Sequence, residues 1–284
     1  MEKIKRVFFI NTICGTGSTG RLVTGLMDSL ESRGIESICA YGRWEAPEKY
    51  ESYRIGSDFD VVLHGILSRI TDKHALYSTA PTRKLIEEIK NYDPDVIHLH
   101  NVHGYYLNFK ILFDYLRNCG KRIIWTLHDC WSFTGHCSHY EYIGCDKWLE
   151  GCHDCPQKDQ YPKTVLFDSS KSNYALKKEM FTGIENLTIV TPSKWLAGEV
   201  SKSFLKEYPV LTVPTGINLS RFRPVTSLIR TEYGIGARKL VLGIANPWRE
   251  RKGYKDFIEL AGLLDDNYRI AMVGLRKNHM PDLI

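Results

Sequence analysis

Histidines, glycines and cysteines carry the chemistry legible in this chain. His98 and His100 stand two apart in the apolar stretch "PDVIHLHN", so as strand residues they share a face. His103 follows in the next segment, and "TLHDC" supplies His128 and Asp129 behind another apolar run. His100 lies closer to the C-terminal end of its strand, the edge where open parallel sheets bind ligands. His100, His128 and Asp129 are therefore the candidate catalytic groups, and His98 is read as structural. The glycines Gly15, Gly17 and Gly20 of "CGTGSTGR" match G-x-G-x-x-G. Such a turn lets the backbone approach a phosphate, and the helix it opens offers free N–H groups. Gly17 is the expected point of closest approach. The cysteines gather between residues 130 and 155. Cys137, Cys145, Cys152 and Cys155 follow C-x7-C-x6-C-x2-C, and four thiolates suit tetrahedral zinc in a segment without a core of its own. Several buried thiols are the plainer alternative. Cys130 belongs to the "HDCW" turn and is placed outside the metal site.

These residues need a scaffold, and the apolar pattern supplies one. Short apolar runs alternate with helically spaced segments. "RVFFI" (6–10), "IESICAYG" (35–42), "PDVIHLHN" (94–101), "KRIIWTLHD" (121–129), "LTIVTPS" (187–193) and "PVLTVPTGIN" (209–218) are expected strands. Residues 20–34, 58–70 and 79–92 are expected helices between them. The alternation predicts an α/β fold with a parallel sheet covered on both faces. Residues 130–168 break the rhythm as a Cys-rich insertion. A linker-like stretch at 218–238 precedes a fresh strand–helix–strand unit. The expected domains are 1–222 and 223–284, the second an incomplete copy of the same architecture.

The chain has 284 residues, 43% of them hydrophobic, and a formal charge of +5. That is enough apolar material for a sizeable core and too little positive charge to argue for nucleic acid. No apolar run reaches the roughly 18 residues of a spanning helix. The opening run is too short for a signal-peptide core, and a cytoplasmic location is expected.

The glycine loop alone would admit a dinucleotide. A dinucleotide site calls for an acid at the end of the second strand, to hold the ribose. Here that strand ends "AYGR", where Arg43 would suit only a 2′-phosphate. An NADP-linked oxidoreductase is thus the minor alternative.

Read in order, "PDVIHLHNVHGYY" (94–106), "TLHDCWSFTGHC" (126–137), "TPSKWL" (191–196), "VPTGINLSRFRP" (213–224) and "RKG" (251–253) point to one group. The chain resembles the retaining GT-B glycosyltransferases of family 4 (glycosyl transferases group 1), above all the bacterial branch that builds capsule, exopolysaccharide and O-antigen chains. The resemblance implies two Rossmann-like domains, with the acceptor on the N-terminal one and the nucleotide sugar on the C-terminal one. It implies that Lys252, with Arg251 or Arg249, binds the donor diphosphate beside Gly15, Gly17 and Gly20, and that His128 lies near the transferred sugar. No catalytic metal is implied. A saccharide or lipid-linked acceptor is, and with it peripheral contact at the inner membrane face, with which the basic runs "SKSNYALKK" (170–178) and "SKSFLK" (201–206) are compatible. The family's E-x7-E element does not occur after Gly274. Full activity is therefore expected to need a complementing C-terminal polypeptide, and a non-catalytic fragment is the alternative.

Overall fold

The computed structural model describes residues 3–276. The chain divides into two compact units, Met1–Asn218 and Leu219–Ile284. In the first, β1 (Arg6–Asn11), β2 (Glu36–Tyr41), β3 (Ser52–Arg54), β4 (Val96–Leu99), β5 (Arg122–Thr126), β6 (Leu187–Thr191) and β7 (Val210–Thr212) form one sheet. Their order is β3-β2-β1-β4-β5-β6-β7, and every neighbouring pair is parallel. The helices are α1 (Gly17–Glu31), α2 (Asp58–Thr71), α3 (Thr79–Tyr92), α4 (Phe109–Asn118), α5 (Ser170–Phe181) and α6 (Lys194–Lys202).

Strand β1 shows why the fold is doubly covered. Val7 through Asn11 are all buried, as a central parallel strand requires. Alternate residues serve opposite faces. Phe8 and Ile10 enter a core with Leu85, Ile89, Leu112, Phe113 and Trp125, under α3 and α4. Val7 and Phe9 enter another with Val23 and Met27 of α1. The strand order reverses between β1 and β4, where Phe9 pairs with His98 and Ile10 with Leu99. The chain leaves these two strands toward opposite sides of the sheet, and the C-terminal ends at such a switch point are the usual ligand position in open α/β sheets.

Two expectations change. The 130–168 insertion does not stand apart: Trp131, Phe133, Tyr140 and Trp148 are buried members of the main core. Its regular structure is three short 3-10 turns, Trp131–Phe133, Glu141–Ile143 and Lys147–Leu149. The basic run 170–178 is also not a purely solvated face. Lys177 is buried, with Nζ donating to Trp131 O at 2.7 Å and Thr134 O at 2.9 Å. The edge strand β3 is a third departure, too short to leave an apolar pattern.

The second unit holds α7 (Ile229–Glu232), β8 (Lys239–Ile244), α8 (Tyr254–Leu263) and β9 (Tyr268–Val273), with β8 and β9 parallel. Gly274 turns the chain after β9 at φ +91°, where a Cβ would stand 1.9 Å from Ala245 O. Only glycine tolerates that position.

Candidate functional site

The loop after β1 is built by its own backbone. Asn11 ends the strand and donates its side-chain amide to Ile13 O at 2.8 Å. Gly15 N–H donates to Gly20 O at 3.1 Å, closing the turn. Gly15 has φ +71°, and a Cβ there would meet Pro47 Cγ at 2.4 Å; a Cβ on Gly20 would stand 3.1 Å from Gly15 N. These two glycines are explained by packing. Gly17, the first residue of α1, is the exposed one. Thr16 makes no side-chain cap and no acid stands in the first turn. The helix therefore opens with N–H groups that no side chain caps, and with uncompensated positive potential.

The loop after β4 is fastened to it. Thr12 Oγ1 donates to His103 O at 2.6 Å, and Asn101 N–H donates to Asn11 Oδ1 at 3.3 Å. The two loops of the switch point thus move as one body.

Behind them runs a row of imidazoles. His98 and His100 stack with centroids 4.4 Å apart, and His100 and His128 at 5.3 Å. His100 Nδ1 and His128 Nε2 share a hydrogen bond of 3.0 Å, and His98 Nε2 bonds Thr126 Oγ1 at 2.8 Å. Burial pushes His98 down to about 3 and His128 down to about 4, and holds His100 well below the ordinary histidine range. All three are neutral at pH 7. In the His100–His128 pair one nitrogen must donate and the other accept, so the tautomer of one fixes that of the other. His98, read as structural from the sequence, stacks at the end of this row.

Asp129 does not extend the row. Its Oδ2 lies 3.1 Å from His103 Nε2, and its Oδ1 accepts Trp131 N–H at 3.0 Å. Burial pushes the carboxyl up, but His103 and the Trp131 amide outweigh it and hold Asp129 below the usual carboxylate value. His103 reaches on through Nδ1 to the Tyr161 hydroxyl at 3.1 Å. Around this chain stand His74, Tyr105 and Trp131, with His74 4.6 Å from the Tyr105 ring and 5.6 Å from Trp131. Sequence reading placed His103 in a loop and missed His74, Tyr105 and Tyr161. They come from three distant segments, and no spacing links them.

The cysteines meet in part. Cys137, Cys145, Cys152 and Cys155 are free thiols lining one cavity of about 20 Å³. Cys152 Sγ accepts Gly135 N–H at 3.1 Å. Among the described residues, however, no three His, Cys, Asp or Glu groups are gathered to hold a metal ion. The four-thiolate arrangement expected from spacing is a shared cavity here, not a formed coordination sphere. In the second unit, Arg251 and Lys252 are exposed on the short turn Glu250–Lys252, and Arg249, also exposed, stands just before it. Gly253 (φ +76°) follows and serves as N-cap of α8, so this basic turn sits against a helix N-terminus.

A seven-stranded parallel α/β unit followed by a second strand–helix–strand unit is the Rossmann-like arrangement of the GT-B class. Residues 19–221 match the model of Glycosyltransferase Family 4, and the chain belongs to that family. The match supports the glycosyltransferase class rather than the oxidoreductase alternative. A putative colanic acid biosynthesis glycosyl transferase, WcaC, of Escherichia coli (strain K12) is 35% identical over 114 residues, 37% of this chain and 27% of that protein. The fold is also that of sucrose-phosphate synthase from Thermosynechococcus elongatus (TM-score 0.62, 13% identity, covering 94% of this chain and 62% of that one). WaaG, a glycosyltransferase involved in lipopolysaccharide biosynthesis, is similar as well (TM-score 0.54, 15% identity, 98% and 66%). So is HepE from Anabaena, solved with UDP and glucose (0.55, 10%, 98% and 64%). The chain thus spans about two thirds of the length of its structural neighbours.

Proposed function

We propose that this chain serves a retaining, hexosyl-type transfer from a nucleoside-diphosphate sugar to a saccharide or lipid-linked acceptor, in the assembly of a bacterial surface polysaccharide. The observation that carries the proposal is the family match over residues 19–221, which takes in strands β2 to β7 and the imidazole row, while β1, Gly15 and Gly17 precede it. The relative named for colanic acid biosynthesis supports the polysaccharide setting, and the neighbour holding UDP and glucose supports the donor class.

In this reading the uncapped amides of α1, near Gly17, face the donor phosphates. Lys252, helped by Arg251 and Arg249, neutralises the departing diphosphate, which removes the need for a catalytic metal. His128 is neutral and held by His100, so it offers an oriented hydrogen bond to the transferred sugar rather than a charge. Asp129, anchored on both oxygens, positions His103 and Tyr161 and does not act as a free base.

A structural zinc ion on Cys137, Cys145, Cys152 and Cys155 belongs to the same proposal, supported by the convergence of four free thiols on one cavity. The sulfurs would have to close to about 2.3 Å from the ion. Metal analysis of the purified protein should read near one zinc per chain, and clearly substoichiometric metal removes the ion from the proposal.

A thermal-shift panel of UDP-, GDP- and TDP-sugars against NADP tests the transfer reading. Stabilisation by one nucleotide sugar and none by NADP is the expected result. Stabilisation by NADP alone overturns it.

A further inference from the structure

The turn after β2 holds an exposed tryptophan beside the glycine loop. Gly42 N–H and Arg43 N–H both donate to Thr12 O, at 3.1 and 2.9 Å. A Cβ on Gly42 would overlap Tyr106 Cβ, so the turn lies flat against the segment after β4. Thr12 Oγ1 in turn donates to His103 O. The loops after β1, β2 and β4 are thus joined through one residue. Trp44 stands just beyond this anchor, with φ +62°. A lone exposed aromatic is ordinary, but a bulky residue in the left-handed region is a genuine outlier. Burial does not explain it, because Trp44 is 55% exposed. Among the described residues its Nε1 makes no hydrogen bond. The ring meets Gly17, where a Cβ would stand 4.0 Å from Trp44 Cζ3. It also meets Arg43, whose guanidinium carbon lies 5.6 Å from the ring centroid.

Arg43 is the second half of the feature. It is half-buried, and among the described residues no carboxylate pairs with it. Glu45 and Glu48 are exposed on the same loop and form no ion pair with it, and Lys49 is taken by Asp28. The loop therefore offers one directed donor fork rather than a positive field. Burial raises the hydroxyls of Tyr105 and Tyr161, and the Arg43 charge opposes it at both. The guanidinium thus lies within electrostatic reach of the chain that runs from Tyr161 through His103 to Asp129. An open aromatic face beside an unpaired guanidinium matches a pyranose that carries an oxyanion. The ring's C–H face lies on the indole, and a carboxylate or phosphate takes the planar fork in bidentate fashion.

We infer that Arg43 and Trp44 form a subsite for an anionic sugar of the acceptor. The inference rests on the transfer reading and narrows its acceptor to a saccharide bearing a carboxylate or phosphate. In that reading the donor diphosphate is met by the α1 amides and Lys252, which leaves Arg43 for the acceptor.

Fluorine-19 NMR of the full chain labelled with 5-fluorotryptophan tests it, with Trp44→Phe assigning the Trp44 signal. The probes are methyl glucuronide and glucose 6-phosphate as acidic sugars, methyl glucoside as the neutral one, and UDP and NADP as nucleotides. The Trp44 signal should shift with an acidic sugar, with a dissociation constant at least fivefold below that of methyl glucoside. Arg43→Gln should erase that preference. Trp44→Gly removes the ring and suits the left-handed backbone. It should melt like the wild type and weaken acidic-sugar binding at least fivefold, read by saturation-transfer difference NMR. A Trp44 signal that no sugar moves overturns the inference. So do equal affinities for acidic and neutral sugars, and a preference that survives Arg43→Gln. A signal moved by UDP or NADP and by neither acidic sugar also overturns it, since the pair then serves a nucleotide. Nucleotide-sugar stabilisation without acidic-sugar binding rejects the subsite and leaves the transfer reading standing. Acidic-sugar binding that Arg43→Gln removes, without stabilisation by any nucleotide sugar, supports the subsite and rejects the transfer reading.

Discussion

At the scale of single residues, the imidazole row ties stability to pH. The folded-state values of His98 and His128 lie at about 3 and about 4, below the ordinary 6.5 of an unfolded chain. Between those limits the unfolded chain binds more protons, so stability is fully present above about 6.5 and falls as pH drops through the window. Each such histidine contributes a slope of up to about 1.4 kcal/mol per pH unit. Chemical denaturation at pH 7 and pH 5 should show a clear loss at the lower value. His128→Asn should flatten part of that dependence. Asp129→Ala leaves His103 Nε2 and the Trp131 amide without their acceptor. It should cost roughly 2–3 kcal/mol, read as a lowered melting temperature. His100 and His128 were legible in the sequence because both follow apolar runs that must be parallel strands. The Asp129–His103–Tyr161 chain was not. A side-chain contact between residues 58 positions apart leaves no period, and Asp129 stood out only as the residue after His128.

At the scale of elements, the glycine loop separates packing from function. Gly15→Ala places a Cβ against Pro47 in a left-handed backbone. It should destabilise the fold by about 1–3 kcal/mol. Should Gly15 melt as wild type after substitution, the loop is looser than its hydrogen bonds indicate. The capping box of α2 is a second case, with Ser57 accepting Asp60 N–H while Asp60 accepts Ser57 N–H. Ser57→Ala should lower stability by about 1 kcal/mol. Helix α2 itself was legible from the period of "DFDVVLHGILSRI", but not which way it faced. Apolar spacing announces a stripe and leaves open whether protein or something else covers it. The same gap explains the insertion. Its cysteines and missing period suggested a metal-pinned loop, whereas Trp131, Phe133, Tyr140 and Trp148 anchor it in the main core.

At the scale of the whole molecule, every residue of both hydrophobic clusters lies before residue 219. The sheet, its covering helices and the insertion therefore hold both cores within the first unit. A fragment of residues 1–218 should melt cooperatively, with the circular dichroism of a folded α/β protein. A fragment that is unfolded in buffer would show that the second unit supplies part of that core. The exposed stretch 219–228 should be the first site of limited proteolysis. The parallel sheet was legible because six of its seven strands leave apolar runs, and GT-B membership followed from motifs set in order along those strands.

Helix α2 is touched on both sides by different surroundings. Outward it presents Phe59, Ile66 and Ile70 to the solvent, and inward it sets His64 against Tyr77 and Tyr105. A single rigid cylinder cannot shift on one side and stay still on the other. Whatever displaces α2 by binding near Tyr105 on its inner side therefore displaces the outward apolar stripe with it.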